Sequence, residues 1–186
     1  AVTTDPRFTP ADWQGKGETP GGPYILVATK NGFVLRLPLT AYRQESTKAG
    51  RRFVKLEEGD KVVLVRLVGK DDADKGFMLA TSGGYVTHFP LDEVSVVAGP
   101  AKGVIGIKLD LDDDCLGGAL VGARLEKLVV ETETGKTQDF GPNAVKSRAR
   151  GGKGEKPGAR TKFARVVPPP IELADWETVE GKKKDD

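Results

Sequence analysis

Short apolar stretches separated by glycine-containing turns follow one another along most of the chain. Residues 25–29 (ILVAT) and 33–37 (FVLRL) have the apolar and alternating patterns of two β-strands. Residues 30–32 (KNG) lie between them, and Asn-Gly predicts a two-residue hairpin turn in which both residues tolerate a positive φ. Pro38 ends the second strand, because proline cannot donate a hydrogen bond to a sheet. The chain shows no convincing helical pattern of any length.

The hairpin pattern repeats along the chain. Residues 25–39 (ILVATKNGFVLRLPL) and 77–91 (FMLATSGGYVTHFPL) share A-T-x-x-G-aromatic-V-x-x-apolar-P-L at a constant offset of 52. A weaker third copy, residues 128–140 (LVVETETGKTQDF), follows the second at an offset of 51. The same offset relates residues 101–103 (AKG) to residues 152–154 (GKG). A period of about 50 residues predicts a repeat protein.

Each unit is expected to contain a second pair of strands after its hairpin. The further strands are predicted at residues 53–56 and 62–67 in the first copy, and at residues 104–109 and 116–121 in the second. Each unit then has about four strands, which is the size of a propeller blade. The predicted fold is therefore all-β: a propeller-like array of three four-stranded blades.

The same periodicity predicts the domain limits. The three blades are expected over about residues 24–70, 76–124 and 125–175. Residues 1–23 are expected to hold the tail strand of a preceding blade and a linker, and residues 176–186 a charged tail.

Charge is concentrated near the end of the chain. The formal net charge is only +2, from 29 basic and 27 acidic residues. Residues 146–165 contain eight basic residues and one acidic residue, a local net charge of +7, whereas residues 172–186 have six acidic residues and three lysines, a net charge of −3. A basic block followed by an acidic tail predicts a polyanionic partner and an internal competitor for it.

Other sequence features favour a cytoplasmic protein. Cys115 is the only cysteine, so an intrachain disulfide is excluded and a reducing compartment is expected. No apolar run is long enough to span a membrane, and residues 1–20 lack the pattern of a signal peptide.

Several motifs resemble those of one known family. A-T-K-x-G-x-V-x-R-x-P-L at residues 28–39, E-G-D at residues 58–60 and K-G-V-x-x-I-K-L at residues 102–109 are similar to the blades of the C-terminal domain of the gyrase and topoisomerase IV A subunits. The resemblance covers roughly residues 25–170 and implies a β-pinwheel, a ring or open arc of four-stranded blades. Three recognisable units favour an open arc or a truncated array.

The family's most specific element is the box Q-R-R-G-G-K-G, and residues 148–154 (RARGGKG) match it at five of seven positions. The departures are Arg148 and Ala149, and the box lies in the third unit, whereas that of gyrase lies in the first blade. These differences make topoisomerase IV at least as good a match as gyrase.

The resemblance implies non-sequence-specific DNA binding and wrapping by the A subunit of a bacterial type IIA topoisomerase, with catalysis located elsewhere. Glycine N–H groups beside mobile cations suit phosphate, which they position without base readout. The expected partners are double-stranded DNA, the remainder of the same topoisomerase polypeptide and its ATPase partner subunit, in the bacterial cytoplasm at the nucleoid, with no cofactor, metal or catalytic residue. The candidate DNA contacts are Arg148, Arg150, Gly151, Gly152, Lys153, Gly154, Lys156, Arg160 and Lys162 in and after the box, and Arg36, Arg43, Lys48, Arg51, Arg52, Lys102 and Lys108 elsewhere.

Two other interpretations remain open. A protein-interaction β-propeller with an incidental basic loop predicts no retention on DNA at physiological salt. An enzyme has the least support: residues 135–137 (GKT) lack the first glycine of a phosphate-binding loop, and His88 and Cys115 are too few ligands for zinc.

Overall fold

The computed structural model describes residues 3–44, 50–122 and 126–169. Over these residues the chain is all-β, as predicted, with helical structure limited to 3₁₀ turns at Pro6–Phe8, Leu39–Tyr42, Lys70–Asp72 and Leu91–Glu93. The strands are β1 (Tyr24–Thr29), β2 (Phe33–Pro38), β3 (Val62–Val68), β4 (Gly76–Thr81), β5 (Val86–Pro90), β6 (Val104–Ile105), β7 (Cys115–Val121), β8 (Leu128–Thr132), β9 (Thr137–Phe140) and β10 (Phe163–Val166).

The strands form three small antiparallel sheets, one for each copy of the repeat. The orders are β3-β1-β2-β6, β5-β4-β7 and β10-β8-β9. In every sheet the first strand of the unit is flanked by its hairpin partner on one side and by the last strand of the unit on the other. We call these unit one (β1–β3), unit two (β4, β5 and β7) and unit three (β8–β10).

The hairpin turns are alike in all three units, but they differ from the predicted two-residue turn. Gly32, Gly84 and Gly135 each donate a backbone hydrogen bond to the threonine three residues earlier, at 2.9, 3.0 and 2.9 Å. These glycines have φ of +81°, +85° and +78°, whereas Asn31 is not in the positive-φ region. The loop therefore has three residues and needs one left-handed position, which glycine fills.

The threonine of the repeat has a structural role in the hairpin turn. The side-chain oxygens of Thr29, Thr81 and Thr132 accept hydrogen bonds from the backbone N–H four residues later, at 3.4, 3.3 and 3.1 Å. Each of these threonines is buried, so the hydroxyl both closes the turn and satisfies its own polarity.

The prediction of four strands within each unit was wrong. Residues 53–56 form no strand, and Val54 makes only an isolated bridge with Ala101. Of the strand predicted at residues 104–109, only the two residues of β6 form a strand. This strand pairs with β2 of unit one, where Val104 lies opposite Val34. Each unit thus supplies three strands to its own sheet, and the fourth strand of the first sheet, β6, comes from the segment of unit two between β5 and β7.

Shared cores join the sheets. One buried cluster combines Leu26 of unit one with Phe77 and Phe89 of unit two, whose rings meet edge to face at 5.6 Å. A second cluster combines Met78 of unit two with Phe163 of unit three. Neighbouring units bury apolar side chains against each other. The contact surfaces between units, which we call seams, therefore have a fixed arrangement.

The ends of the predicted domains fall partly outside the described residues. Residues 1 and 2 of the expected tail strand, and residues 170–186 with the acidic tail, lie beyond the described ranges. The segment before β1 packs onto unit one, where Trp13 meets Tyr24 edge to face at 5.3 Å.

Candidate nucleic-acid interface

The box of residues 148–154 belongs to unit three in sequence but lies along unit two. The backbone N–H of Arg148 donates to His88 O at 2.9 Å, and that of Gly151 donates to Gly106 O at 2.9 Å. Just after the box, Glu155 and Val86 exchange two backbone hydrogen bonds of 2.8 Å. The box is therefore an ordered segment at the seam between units two and three, and not a disordered basic loop.

The glycines of the box serve two different purposes. At Gly154, φ is +83° and a Cβ atom would lie 2.4 Å from Val86 O, so only glycine fits this crossing. In the preceding seam, a Cβ atom at Gly103 would likewise lie 2.4 Å from Val34 O. Gly152 is exposed and would accept a side chain without contact.

The glycine N–H groups are only partly available to a phosphate. The N–H of Gly151 is engaged within the protein, contrary to its expected role. Among the described residues, the N–H groups of Gly152, Lys153 and Gly154 have no acceptor. These three unoccupied donors lie together at the exposed C-terminal end of the box.

Arg150 is partly buried and bonds to neighbouring backbone and carboxylate groups. Its backbone N–H donates to the Glu93 carboxylate at 2.8 Å, and its guanidinium donates to Glu93 O at 2.9 Å and to Ile105 O at 3.1 Å. Through these contacts, Arg150 holds the box on unit two. Arg150 therefore has a structural role at the seam, and its role as a DNA contact stays a prediction.

Lys153 projects at the seam between units two and three. Its Nζ lies 2.7 Å from an Asp110 carboxylate oxygen and 4.6 Å from the centroid of the Tyr85 ring. The hydrogen bond to Asp110, with a further one to Tyr85, raises the pKa of the Lys153 ammonium. Lys156 lies near the same ring, with Nζ 5.1 Å from its centroid. Tyr85 therefore has two cations over it.

An equivalent arrangement occurs at the seam between units one and two. Lys102 Nζ lies 2.6 Å from a Glu57 carboxylate oxygen and 4.1 Å from the centroid of the Phe33 ring. We call Phe33, Glu57 and Lys102 the first seam triad, and Tyr85, Asp110 and Lys153 the second. Their members are separated by 52, 53 and 51 residues respectively, close to the repeat period.

Arg36 is a second predicted contact that faces a seam. Its guanidinium donates to Val94 O at 2.8 Å and to Asp92 O at 3.3 Å, and burial lowers its pKa. The next unit has His88 at this position, and His88 Nδ1 is 3.0 Å from Val145 O. Both side chains donate to a backbone carbonyl of the following unit, which indicates a structural role.

Arg43 holds the segment that precedes β1. Its guanidinium contacts the Asp12 carboxylate at 2.7 Å and the Thr9 hydroxyl at 3.0 Å, and its side chain is 19% exposed. Most of its surface is thus unavailable to a ligand.

The remaining candidates are exposed. Arg148 pairs with Glu155 at 2.8 Å, and the Arg51 guanidinium donates to Ala41 O. No side-chain partner within the described ranges accompanies four of them: Arg52, Lys108, Arg160 and Lys162. Lys48 lies outside the described residues.

Sequence reasoning missed the residues that position these cations. In the sequence, Glu57, Glu93 and Asp110 look like ordinary acidic turn residues, and Phe33 and Tyr85 look like ordinary strand positions. The signal that could have found the rings is the aromatic residue after the turn glycine in copies one and two, at positions 33 and 85.

Other chemistry finds no site in the described part of the chain. No three His, Cys, Asp or Glu side chains there cluster as a metal site requires. Burial raises the pKa of the Cys115 thiol to about 12, which makes it a poor nucleophile. The described helices are also too short and polar to span a bilayer.

These features define a class of protein: a propeller-type repeat domain whose small sheets are joined by edge pairing and carry cations at the seams. The family described as DNA gyrase C-terminal domain, beta-propeller, matches residues 23–68 and 77–121, which are units one and two. The chain belongs to this family, the β-pinwheel C-terminal domains of the gyrase and topoisomerase IV A subunits.

Individual relatives come from both branches of the family. The A subunit of DNA gyrase from Helicobacter pylori is 34% identical over 126 residues, which are 68% of this chain and 15% of that protein. The A subunit of DNA topoisomerase 4 from Bacillus subtilis is 28% identical over 131 residues, 70% of this chain and 16% of that protein. The chain therefore spans about one sixth of the length of these relatives.

Solved structures show the same fold. The C-terminal domain of DNA topoisomerase IV matches with a TM-score of 0.66 at 26% identity, over 78% of this chain and 46% of that one. The DNA gyrase A C-terminal domain matches with a TM-score of 0.62 at 24% identity, over 78% of this chain and 47% of that one. The three units thus correspond to about half of each solved domain.

Proposed function

We propose that this chain binds and wraps double-stranded DNA without reading its sequence, within a bacterial type IIA topoisomerase of the gyrase or topoisomerase IV type. The observation that carries the proposal is the recurrence of the seam triads. Lys102 and Lys153 occupy equivalent positions at two successive seams, each beside an aromatic ring and each partly exposed. Lysines that recur at successive seams suit a ligand with regularly spaced negative charges, such as the phosphates of DNA.

The exposed cations near the box extend this pattern. Arg148, Lys156, Arg160 and Lys162 are exposed and lie in the box or within eight residues after it. Contacts of this kind go to phosphates, so they position a duplex and give strong salt dependence. Bending a duplex costs free energy, which contacts spread over successive units offset.

The catalytic steps belong elsewhere in this proposal. DNA cleavage lies in other parts of the topoisomerase polypeptide, ATP hydrolysis lies in its ATPase partner subunit, and the chain needs no cofactor of its own. The place of action is the bacterial cytoplasm, at the nucleoid.

Ligation of a nicked circular plasmid in the presence of the protein tests wrapping. We expect the linking number of the closed circles to shift in proportion to bound protein. The double variant Lys102→Ala/Lys153→Ala should reduce the shift. The control Lys16→Ala/Lys70→Ala removes the same charge from exposed lysines away from the triads, and should retain it.

Two results would count against the proposal. Retention on DNA with an unchanged linking number at saturation would exclude wrapping. Absence of retention at physiological salt would favour the protein-interaction module instead.

A further inference from the structure

Both seam triads place a carboxylate on the ammonium group that the proposed DNA contact would use. In the first triad the Lys102 and Glu57 side chains are 42% and 56% exposed, and in the second the Lys153 and Asp110 side chains are 44% and 51% exposed. Both ion pairs therefore face solvent, where such a pair contributes little to folding.

The aromatic ring already gives each lysine a position. Nζ of Lys102 and Nζ of Lys153 lie 4.1 and 4.6 Å from the centroids of Phe33 and Tyr85. A cation over a ring keeps its N–H groups able to donate to an oxygen acceptor. The carboxylate is thus not needed to place the ammonium, and it occupies the position of such an acceptor.

The recurrence of the carboxylate is the second observation. Glu57 and Asp110 lie in corresponding acidic loops, 53 residues apart, and each pairs with the lysine of the following seam. An acidic residue is retained at this position although the loops differ in sequence, with EEGD at residues 57–60 and DLDDD at residues 110–114.

We infer that Glu57 and Asp110 are internal counter-ions that a DNA phosphate displaces from Lys102 and Lys153. This inference rests on the proposed function. In the exchange, the lysine N–H bond to the carboxylate is lost and one to a phosphate oxygen is gained. The released carboxylate takes up a cation from solution, which cancels part of the counter-ion release that drives DNA binding. The two carboxylates therefore weaken binding and flatten its salt dependence.

Fluorescence anisotropy with a labelled random-sequence duplex, over a series of KCl concentrations, tests this exchange. The variants are Asp110→Asn and Glu57→Gln. Their matched controls are Asp112→Asn and Glu58→Gln, which remove the same charge from the same loops at exposed residues without a cationic partner among the described residues. We expect each variant to bind about two- to fivefold more tightly than its control, the range that exposed ion pairs are worth. The slope of log K against log salt should steepen by up to about 0.9 per site.

A double-mutant cycle identifies the lysine as the cause. In the Lys153→Ala background, Asp110→Asn should no longer differ from Asp112→Asn. If Asp110→Asn binds like its control, or more weakly, the exchange is wrong while DNA binding by the unaltered chain stands. If the unaltered chain does not bind the duplex, the proposed function fails, and the inference fails with it.

Discussion

Arg150 and Glu93 are joined by two hydrogen bonds. The Arg150 backbone N–H donates to the Glu93 carboxylate at 2.8 Å, and the Arg150 Nε donates to Glu93 O at 2.9 Å. A residue of the box that the sequence predicts as a DNA contact thus makes hydrogen bonds within the protein. Its neighbour two positions earlier, Arg148, is exposed.

This difference predicts that replacing the two arginines by alanine lowers the stability of the protein by unequal amounts. Arg150→Ala should lower the free energy of unfolding by about 1–3 kcal/mol, because it removes hydrogen bonds from a charged donor. Arg148→Ala loses only a surface ion pair to Glu155 and should change stability by less than about 1 kcal/mol. Urea unfolding measures both, and equal losses would contradict the assignment.

Two glycines of the box and the turn glycine of unit three offer a graded test of backbone geometry. Gly154→Ala should cost about 2–5 kcal/mol, because it combines a positive φ with a Cβ atom 2.4 Å from Val86 O. Gly135→Ala keeps the positive φ without any close contact and should cost about 1–2 kcal/mol. Gly152→Ala meets neither condition and should be neutral within about 0.5 kcal/mol. Thermal unfolding of the three variants would give this order; a Gly152 variant as unstable as the Gly154 variant would refute it.

A comparison of variants at Arg36 and Lys108 distinguishes a structural role of a cation from a role in DNA binding. Lys108→Ala removes an exposed charge and should reduce the salt slope of DNA binding by about 0.9 without loss of stability. Arg36→Ala breaks the hydrogen bond to Val94 O and should lower stability by about 1–3 kcal/mol while leaving the salt slope of the folded protein unchanged. Parallel binding and unfolding measurements decide between them, and a reduced slope for the Arg36 variant would place Arg36 at the DNA surface.

Cys115 predicts a loss of stability at alkaline pH. Burial raises its pKa from 9.0 to about 12, so the folded state keeps the proton after the unfolded state has released it. The unfolded state then binds fewer protons, and stability falls as pH rises from about 9 towards 12, by about 1.4 kcal/mol per pH unit from this group. Below pH 9 the contribution is fully present.

The comparison with Cys115→Ala isolates this effect. The variant should be less stable at neutral pH, because it loses a buried side chain, but its stability should fall less steeply between about pH 9 and 10.5. Lysines and tyrosines titrate in both proteins and cancel in the difference. Parallel pH profiles for the two proteins would show that the thiol is not the titrating group.

The repeat and its hairpins could be predicted from the sequence because they depend on local rules. The A-T-x-x-G pattern fixes a buried threonine and a turn glycine only a few residues apart, and such short-range geometry is visible in a single copy. The two-residue turn was wrong because Asn-Gly fits two turn types, and only the position of Thr29 relative to Gly32 distinguishes them.

The strand exchange could not be predicted in this way. Val104 and Ile105 have the same apolar pattern whether they pair within their own unit or with the preceding one. Likewise, an arginine beside glycines looks the same in sequence whether it faces a phosphate or, like Arg150, a carbonyl of the neighbouring unit. These assignments depend on which surfaces of neighbouring units are in contact, and the repeat period alone does not determine those contacts.

The edge pairing between units has a consequence for the nascent chain. The outer edge of β2, which is rich in apolar residues, is covered by β6 at Phe33 and Val34 and by residues 95–97 at Arg36. Both covering segments belong to unit two, so this edge stays open until most of unit two has been synthesised. Until then the first sheet has an open apolar edge of the kind that promotes association with other chains. By contrast, β9 presents exposed Thr137, Gln138 and Asp139, a polar edge that remains compatible with water. Unit one is therefore most vulnerable to aggregation while unit two is still emerging from the ribosome.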